Sequence, residues 1–170
     1  MSARMTPTRK ILLPALAATL ALPAGLSAAS AANSAAPARA CAGSKIEDSG
    51  FWITIIAENV RSSEGLLTIT VYPDKRSQFL AKGGSINVGR IKAQKGTTQG
   101  CVFLPSDGVY AIALYHDENG NHKFDRGLLP EEGYGFSNDA NTVAGLPSFK
   151  SVRLAVPKNN MATKITMKYP

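Results

Sequence analysis

Leu67-Thr68-Ile69-Thr70-Val71-Tyr72 decides the fold. Apolar and polar side chains alternate with a period of two, and Pro73-Asp74 ends the run. That period puts one set of side chains on each face of a strand, so the stretch reads as a half-buried β-strand. Upstream, residues 51–57 (FWITIIA) are apolar on both faces and rich in β-branched residues, which favours a strand over a helix. A turn at 62–65 joins the two into a hairpin. Downstream, residues 75–82 are the one stretch suited to a helical turn, with Phe79 and Leu80 pointing inward. Residues 88–93 and 98–104 read as weaker strands, split at Lys95-Gly96. Residues 109–116 (VYAIALYH) are apolar on both faces, as expected of a central strand. Near the end, Val152, Leu154 and Val156 alternate with Arg153 and Ala155, and Ile165, Met167 and Tyr169 alternate with Lys164, Thr166 and Lys168.

About seven short strands with frequent turns predict an all-β domain, an antiparallel β-sandwich of two sheets. Its driving force is burial of the alternate apolar faces, at about 25 cal/mol per Å². The β-α-β alternation of nucleotide-binding α/β folds is missing.

The amino-terminal stretch reads as an address. Arg4, Arg9 and Lys10 precede an apolar, Ala-rich run from 11 to 22, and small residues follow at 27–31. A basic start, a short apolar middle and an A-x-A-like end make a secretory signal peptide over residues 1–30. The apolar run is shorter than the ~20 residues a membrane span requires, and no later run reaches that length. An Ala/Ser/Pro-rich linker, expected to be disordered, occupies 31–46, and the globular domain spans 47–170. Without the three leader bases the formal charge falls from +7 to +4. The remaining bases are scattered, which argues against a nucleic-acid partner. The expected location is therefore exported, either periplasmic or extracellular.

Export permits a disulfide between Cys41 and Cys101, the two cysteines of the chain. Two other readings stay open: Cys101 as a buried thiol in an apolar strand, and a lipid-modified Cys41.

The strongest local constellation follows the central strand: Asp117-Glu118-Asn119-Gly120-Asn121-His122-Lys123-Phe124-Asp125. A calcium loop supplies hard oxygen ligands at positions one, three, five, seven (by a backbone carbonyl) and nine. Those positions hold Asp117, Asn119, Asn121, Lys123 and Asp125. Position six, normally Gly, is His122, and position twelve, normally a bidentate Glu, is Leu128. Glu118, Glu131 or Glu132 is available to replace it. An ordered, metal-free turn built on Asn119-Gly120 is the competing reading. Two histidines, His116 and His122, are too few for an ordinary zinc site. No G-x-S-x-G, H-E-x-x-H, P-loop or G-x-G-x-x-G is present. Glu131-Glu132 reads as a solvated pair, and His116 as a residue packed at the strand's end.

Several blocks resemble a known family. They are Tyr110-Ala111-Ile112-Ala113, then His116 to Asn121, then Glu132-Gly133-Tyr134-Gly135-Phe136-Ser137-Asn138, then Pro147-Ser148-Phe149. In this order they resemble the bacterial DUF2141 proteins from about residue 53 to the C-terminus. His122 departs from the Gly usual there. The resemblance implies an exported sandwich similar to prealbumin-like or carboxypeptidase-regulatory-like domains, and no particular activity. On the residues themselves, Gly133 and Gly135 suit close backbone approach, and Tyr134 and Phe136 share one strand face.

The resulting expectation is a non-catalytic module, binding or structural, in the cell envelope. Its 117–125 and 133–138 loops gather at one end and face an envelope protein or a small ligand, with Ca2+ the one cofactor considered. The alternative is an envelope hydrolase using carboxylates of the same loops.

Overall fold

Strand β1 (Trp52–Val60) buries Ile53, Ile55 and Ala57 completely, each two residues from the next. Strand β2 (Leu66–Pro73) does the same with Leu67, Ile69 and Val71. Burial alternates along β1, although its sequence is apolar on both faces, whereas in β2 Thr68 and Tyr72 of the other face are buried as well. The computed structural model describes residues 41–43, 46, 49–125, 132–143 and 146–170. Strands β3 (Asn87–Lys92), β4 (Gly96–Phe103) and β5 (Gly108–Asp117) follow in order. Then come β6 (Tyr134–Phe136), a 3-10 turn (Ser137–Asp139), the small hairpin β7 (Thr142–Val143) and β8 (Leu146–Pro147), a one-turn helix α1 (Phe149–Val152), β9 (Arg153–Val156) and β10 (Met161–Thr166).

These strands form two main sheets. One has the order β10-β1-β4. The other runs β3-β2-β5-β6, with β9 also paired to β5. Ile53, Ile55 and Val102 from the first sheet and Leu67, Ile69 and Ile112 from the second belong to one buried cluster, so the core lies between the sheets. Each fully buried Ile or Leu there stabilises the fold by roughly 1.5–3 kcal/mol relative to exposure.

β5 is covered on both faces. Ile112 and Leu114 join the main core, while Ala111 and Ala113 join a second cluster with Tyr72, Phe136 and Val152. β2 lies along one of its edges, and β9 and β6 lie in succession along the other. This explains why residues 109–116 lack a polar face.

Four details depart from the expected architecture. β1 and β2 do not pair as a hairpin, because the turn between them passes from one sheet to the other. The described strands number ten, two of them only two residues long. β1 and β10 pair in parallel, because the chain crosses from one sheet to the other before β10. Residues 75–82 form successive turns: Phe79 packs against the second cluster, but Leu80 is 40% exposed with φ 56°. With its backbone left-handed, Leu80 lines a surface groove beside Tyr72 and Phe136 instead of entering the layer.

The signal peptide expected at 1–30 and most of the expected linker lie outside the described residues. The linker's last part is attached to the domain. Cys41 is bonded to Cys101 as a disulfide, with Cα atoms 4.7 Å apart, and the Ala42 amide donates to the Cys101 carbonyl at 2.8 Å. The bridge closes a 60-residue separation. In the chain-entropy view this removes about 4 kcal/mol of unfolded-state freedom. Replacing both cysteines by serine is therefore expected to lower the unfolding free energy by about 2–5 kcal/mol. Urea titration under matched conditions checks this; a loss below ~1 kcal/mol would show that the bridge contributes little.

Candidate functional site

The polar end of the domain is assembled where β5 stops. A bulge in β1 sets up one wall. Its register shifts between Glu58 and Val60, and Asn59 lies in the left-handed region at φ 61°. Asn tolerates that backbone. Asn59 Nδ2 donates to the Met167 carbonyl at 2.9 Å, tying the bulge to the end of β10. The chain is thereby aimed so that Arg61 and Ser62 reach the far end of β5.

Glu118 receives them. Arg61 grips its carboxylate, with Nε at 3.2 Å from Oε1 and 3.0 Å from Oε2 and with Nη2 on Oε2 as well. Ser62 Oγ donates to Oε1 at 2.7 Å. The guanidinium also lies over the Tyr169 ring, 4.6 Å from its centroid. The Arg61 hydrogen bond is the main reason that the Glu118 carboxyl sits below its ordinary range; burial works against it, and Ser62 adds to the lowering.

His116 is completely buried next to this pair. Its Nε2 lies 2.9 Å from the Glu64 carbonyl, which can only accept, so Nε2 carries a proton. In the neutral ring Nδ1 then accepts from the Tyr169 hydroxyl at 2.9 Å. The Arg61 backbone amide donates to the same hydroxyl oxygen. The expectation that His116 packs at the strand's end is met by a side chain with both nitrogens engaged.

The 117–125 segment folds around its own side chains. Asp117 is fully buried. Its Oδ1 accepts from the Asn121 amide at 3.0 Å and its Oδ2 from the His122 amide at 2.9 Å. His122 lies at φ 63°. Asn119 Oδ1 accepts from the Asn121 amide and Asn121 Oδ1 from the Lys123 amide. The amide nitrogens of Asn119 and Asn121 donate to Asp125 Oδ2 at 2.8 and 2.7 Å. Asp117, Asn119, Asn121 and Asp125 are therefore one hydrogen-bonded group. In this arrangement two of its members direct donors, not oxygens, at Asp125. Among the described residues no three His, Cys, Asp or Glu side chains form a metal cluster by themselves.

Glu132 is not the solvated residue expected. It is 2% exposed. Its Oε2 accepts from the Asp125 amide at 3.1 Å, because the chain returns into β6 directly beneath the loop. Burial pushes its carboxyl above the ordinary range; the Asp117 and Asp125 charges add to this, while the Asp125 and Glu118 amides oppose it. Glu131 lies outside the described residues.

The block 133–138 was expected as a second loop at the rim. Tyr134–Phe136 is instead strand β6, held by β5. Gly133 and Gly135 do allow close approach. A Cβ on Gly133 would meet the Tyr169 ring at 2.2 Å, and one on Gly135 would meet Ile165 Cγ2 at 2.7 Å. Tyr134 and Phe136 pack in the second cluster. Ser137, fully buried, accepts from the Ile112 amide and donates to the Val152 carbonyl. Asn138, at φ 61°, donates to the Ser151 and Arg153 carbonyls. These residues are scaffold: they lock β5 to the segment running into β9.

Arg61, Ser62 and Tyr169 belong to the site but carry no local motif. The separation of Arg61 from Tyr169 is 108 residues, so only the fold brings them together.

Residues 55–164 match a family model described as an uncharacterized protein conserved in bacteria, DUF2141. No curated protein matches the chain, and no solved structure does.

Two outcomes test this geometry. Gly133→Ala forces a methyl group into the Tyr169 ring and should cost about 1–3 kcal/mol, read by denaturant unfolding; a neutral result would mean that Tyr169 is free to move. Glu118 is held below its unfolded value. Its contribution is therefore complete above that value, about 4.5, and is lost as pH falls through the lower folded value. Between about pH 6 and about pH 3 the wild-type melting temperature should fall more steeply than that of Glu118→Gln. Parallel curves would count against the Arg61 pair.

Proposed function

The chain belongs to the DUF2141 family of uncharacterised bacterial proteins, and from that premise we propose that it is an exported, non-catalytic β-sandwich module of the prealbumin-like or carboxypeptidase-regulatory-like kind. It acts in the cell envelope by binding or structural contact, and its acidic β5–β6 loop is ordered by calcium.

One observation carries the calcium reading. Asp117, at position one, receives the amides of positions five and six, and position six, His122, sits in the left-handed backbone region. That is the place where a calcium loop makes its sharp turn with glycine. A histidine pays about 1–2 kcal/mol for such a backbone, and the loop adopts it regardless. Few formal charges lie on the ligand set, so the affinity falls near the extracellular range of ~10⁻⁴–10⁻³ M.

The Cys41–Cys101 bridge supports export, since disulfides persist in oxidising compartments. Among the described residues no helix is long and apolar enough to cross a membrane. The non-catalytic reading rests on what the polar groups already do. His116 has both ring nitrogens engaged within the fold, and Glu118 is held by Arg61 and Ser62. A module of this kind offers its loop end to an envelope protein or a small ligand.

Calcium added to the full-length chain at about ten times its dissociation constant should stabilise it by about 1.4 kcal/mol. A melting-temperature titration with calcium chloride measures this. No shift at ~10 mM overturns the calcium reading. Fractionation of cells producing the tagged chain should place it in the periplasm or the medium with the bridge oxidised; recovery from the cytosol in reduced form overturns export.

A further inference from the structure

The second sheet carries a groove on the face turned away from the main core. The large apolar residues left exposed among the described residues are Leu80 (40%), Val143 (83%) and Leu146 (46%), and all three gather there. Leu80 and Leu146 line one section of the groove with Phe79 and Pro147, and Val143 is paired with Leu146 in the β7–β8 hairpin. Leu80 and Leu146 come from distant parts of the chain, so the fold brings them together. Exposed apolar side chains scattered singly are ordinary, but gathered in one place they mark a binding surface.

Phe79 forms the floor, with the Tyr72, Phe136 and Phe149 rings at 5.4, 6.2 and 5.7 Å from it, centroid to centroid. Past Phe79 and Pro147 the groove continues into a second section lined by Arg76, Phe149 and Lys150. The two sections have volumes of about 590 and 410 Å³, within the ~300–1,000 Å³ of small-ligand sites.

The second section alone is charged. Arg76 and Lys150 are exposed, and neither enters an ion pair among the described residues. No described acidic residue lines that section. Asp74, the acid nearest Arg76 in the sequence, is held by Arg153, with Nε at 2.7 Å from Oδ1. Two like charges at one mouth of an apolar channel draw anions to it. The rest of the lining has little to offer a polar ligand. A sugar laid along Phe79, Leu80, Leu146 and Pro147 would give up hydrogen bonds to water without replacing them. A hydrocarbon chain gives up none and gains burial.

We propose that the groove binds a single long-chain carboxylate, its hydrocarbon chain along Phe79, Leu80 and Leu146 and its head group at Arg76 and Lys150. The inference goes beyond the reading of the acidic loop and does not depend on it.

The test uses the full-length chain, its disulfide intact, titrated calorimetrically with sodium dodecanoate below its micelle concentration. Chelator is present throughout, which prevents calcium soaps and separates the result from the calcium reading. One dodecanoate should bind per chain, with a dissociation constant on the order of 10⁻⁵–10⁻⁴ M. Dodecyltrimethylammonium, with the same chain and a positive head, should bind about tenfold more weakly. Arg76→Gln with Lys150→Gln should weaken dodecanoate binding about fivefold or more and narrow the difference between the two amphiphiles. Leu80→Asn with Leu146→Ser should weaken both about tenfold. Both leucines are partly exposed, and Asn tolerates the left-handed backbone at position 80, so the melting temperature should stay near that of the wild type. No dodecanoate binding by the wild type overturns the proposal and leaves the calcium reading in place. Equal affinity for the two head groups in the wild type overturns the assignment of Arg76 and Lys150. Wild-type affinity in the leucine variant overturns the placement of the chain. Binding to phosphatidylglycerol vesicles without binding of monomeric dodecanoate makes this face a membrane-docking surface and overturns the proposal. Self-association that the leucine variant abolishes, again without dodecanoate binding, makes it an interface between copies and overturns the proposal as well.

Discussion

The structure depends on the enclosure of β5. This strand has main-chain neighbours on both edges and apolar layers on both faces. From Tyr110 to Leu114 it is buried throughout, Tyr115 is partly exposed, and the enclosure resumes at His116 and Asp117, both fully buried. An imidazole and a carboxylate placed there must find partners inside the protein. His116 finds Tyr169 and Glu64; Asp117 finds the amides of the loop that follows it. The organisation of the polar end is thus a consequence of where a hydrophobic strand stops.

The same constraint separates two kinds of acidic residue that look alike on paper. Glu118 lies just past the enclosure, where Arg61 and Ser62 can reach it, and its charge is favoured. Glu132 enters from the opposite strand under the loop, where desolvation dominates and its charge is disfavoured. Neighbouring carboxylates of one loop thus carry opposite tendencies.

Much of the architecture was legible in the sequence, because it follows from period-two burial. The alternation at Leu67, Ile69 and Val71 and the unbroken apolarity of 109–116 predicted two strands, and both are found, but β2 is covered on both faces, since Thr68 and Tyr72 are buried too. The cysteine pairing was one of three open readings. What could not be read is what depends on chain crossing. The parallel pairing of β10 with β1 follows from a return path that no local pattern encodes. Glu132 reads as surface because an acidic pair beside Gly resembles solvent-facing sequence; its burial results from β6 pairing with β5. Leu80 fails for a local reason, a left-handed backbone that leaves it at a surface groove, 40% exposed. The 117–125 constellation was visible because Asx residues act within their own turn. Arg61 and Tyr169 were not, since their partners lie far away along the chain.

The covalent link near the amino end changes how the domain bears a load. Tension applied at Cys41 passes through sulfur directly to β4, bypassing β1, β2 and β3. The 60 residues spanned by the link, roughly 200 Å of extended chain at ~3.5 Å each, stay out of reach of a pull from that side. Whatever precedes the domain is therefore moored to β4, at the edge of its sheet, and a tug on the leading end loads that strand before it can peel away β1, β2 or β3.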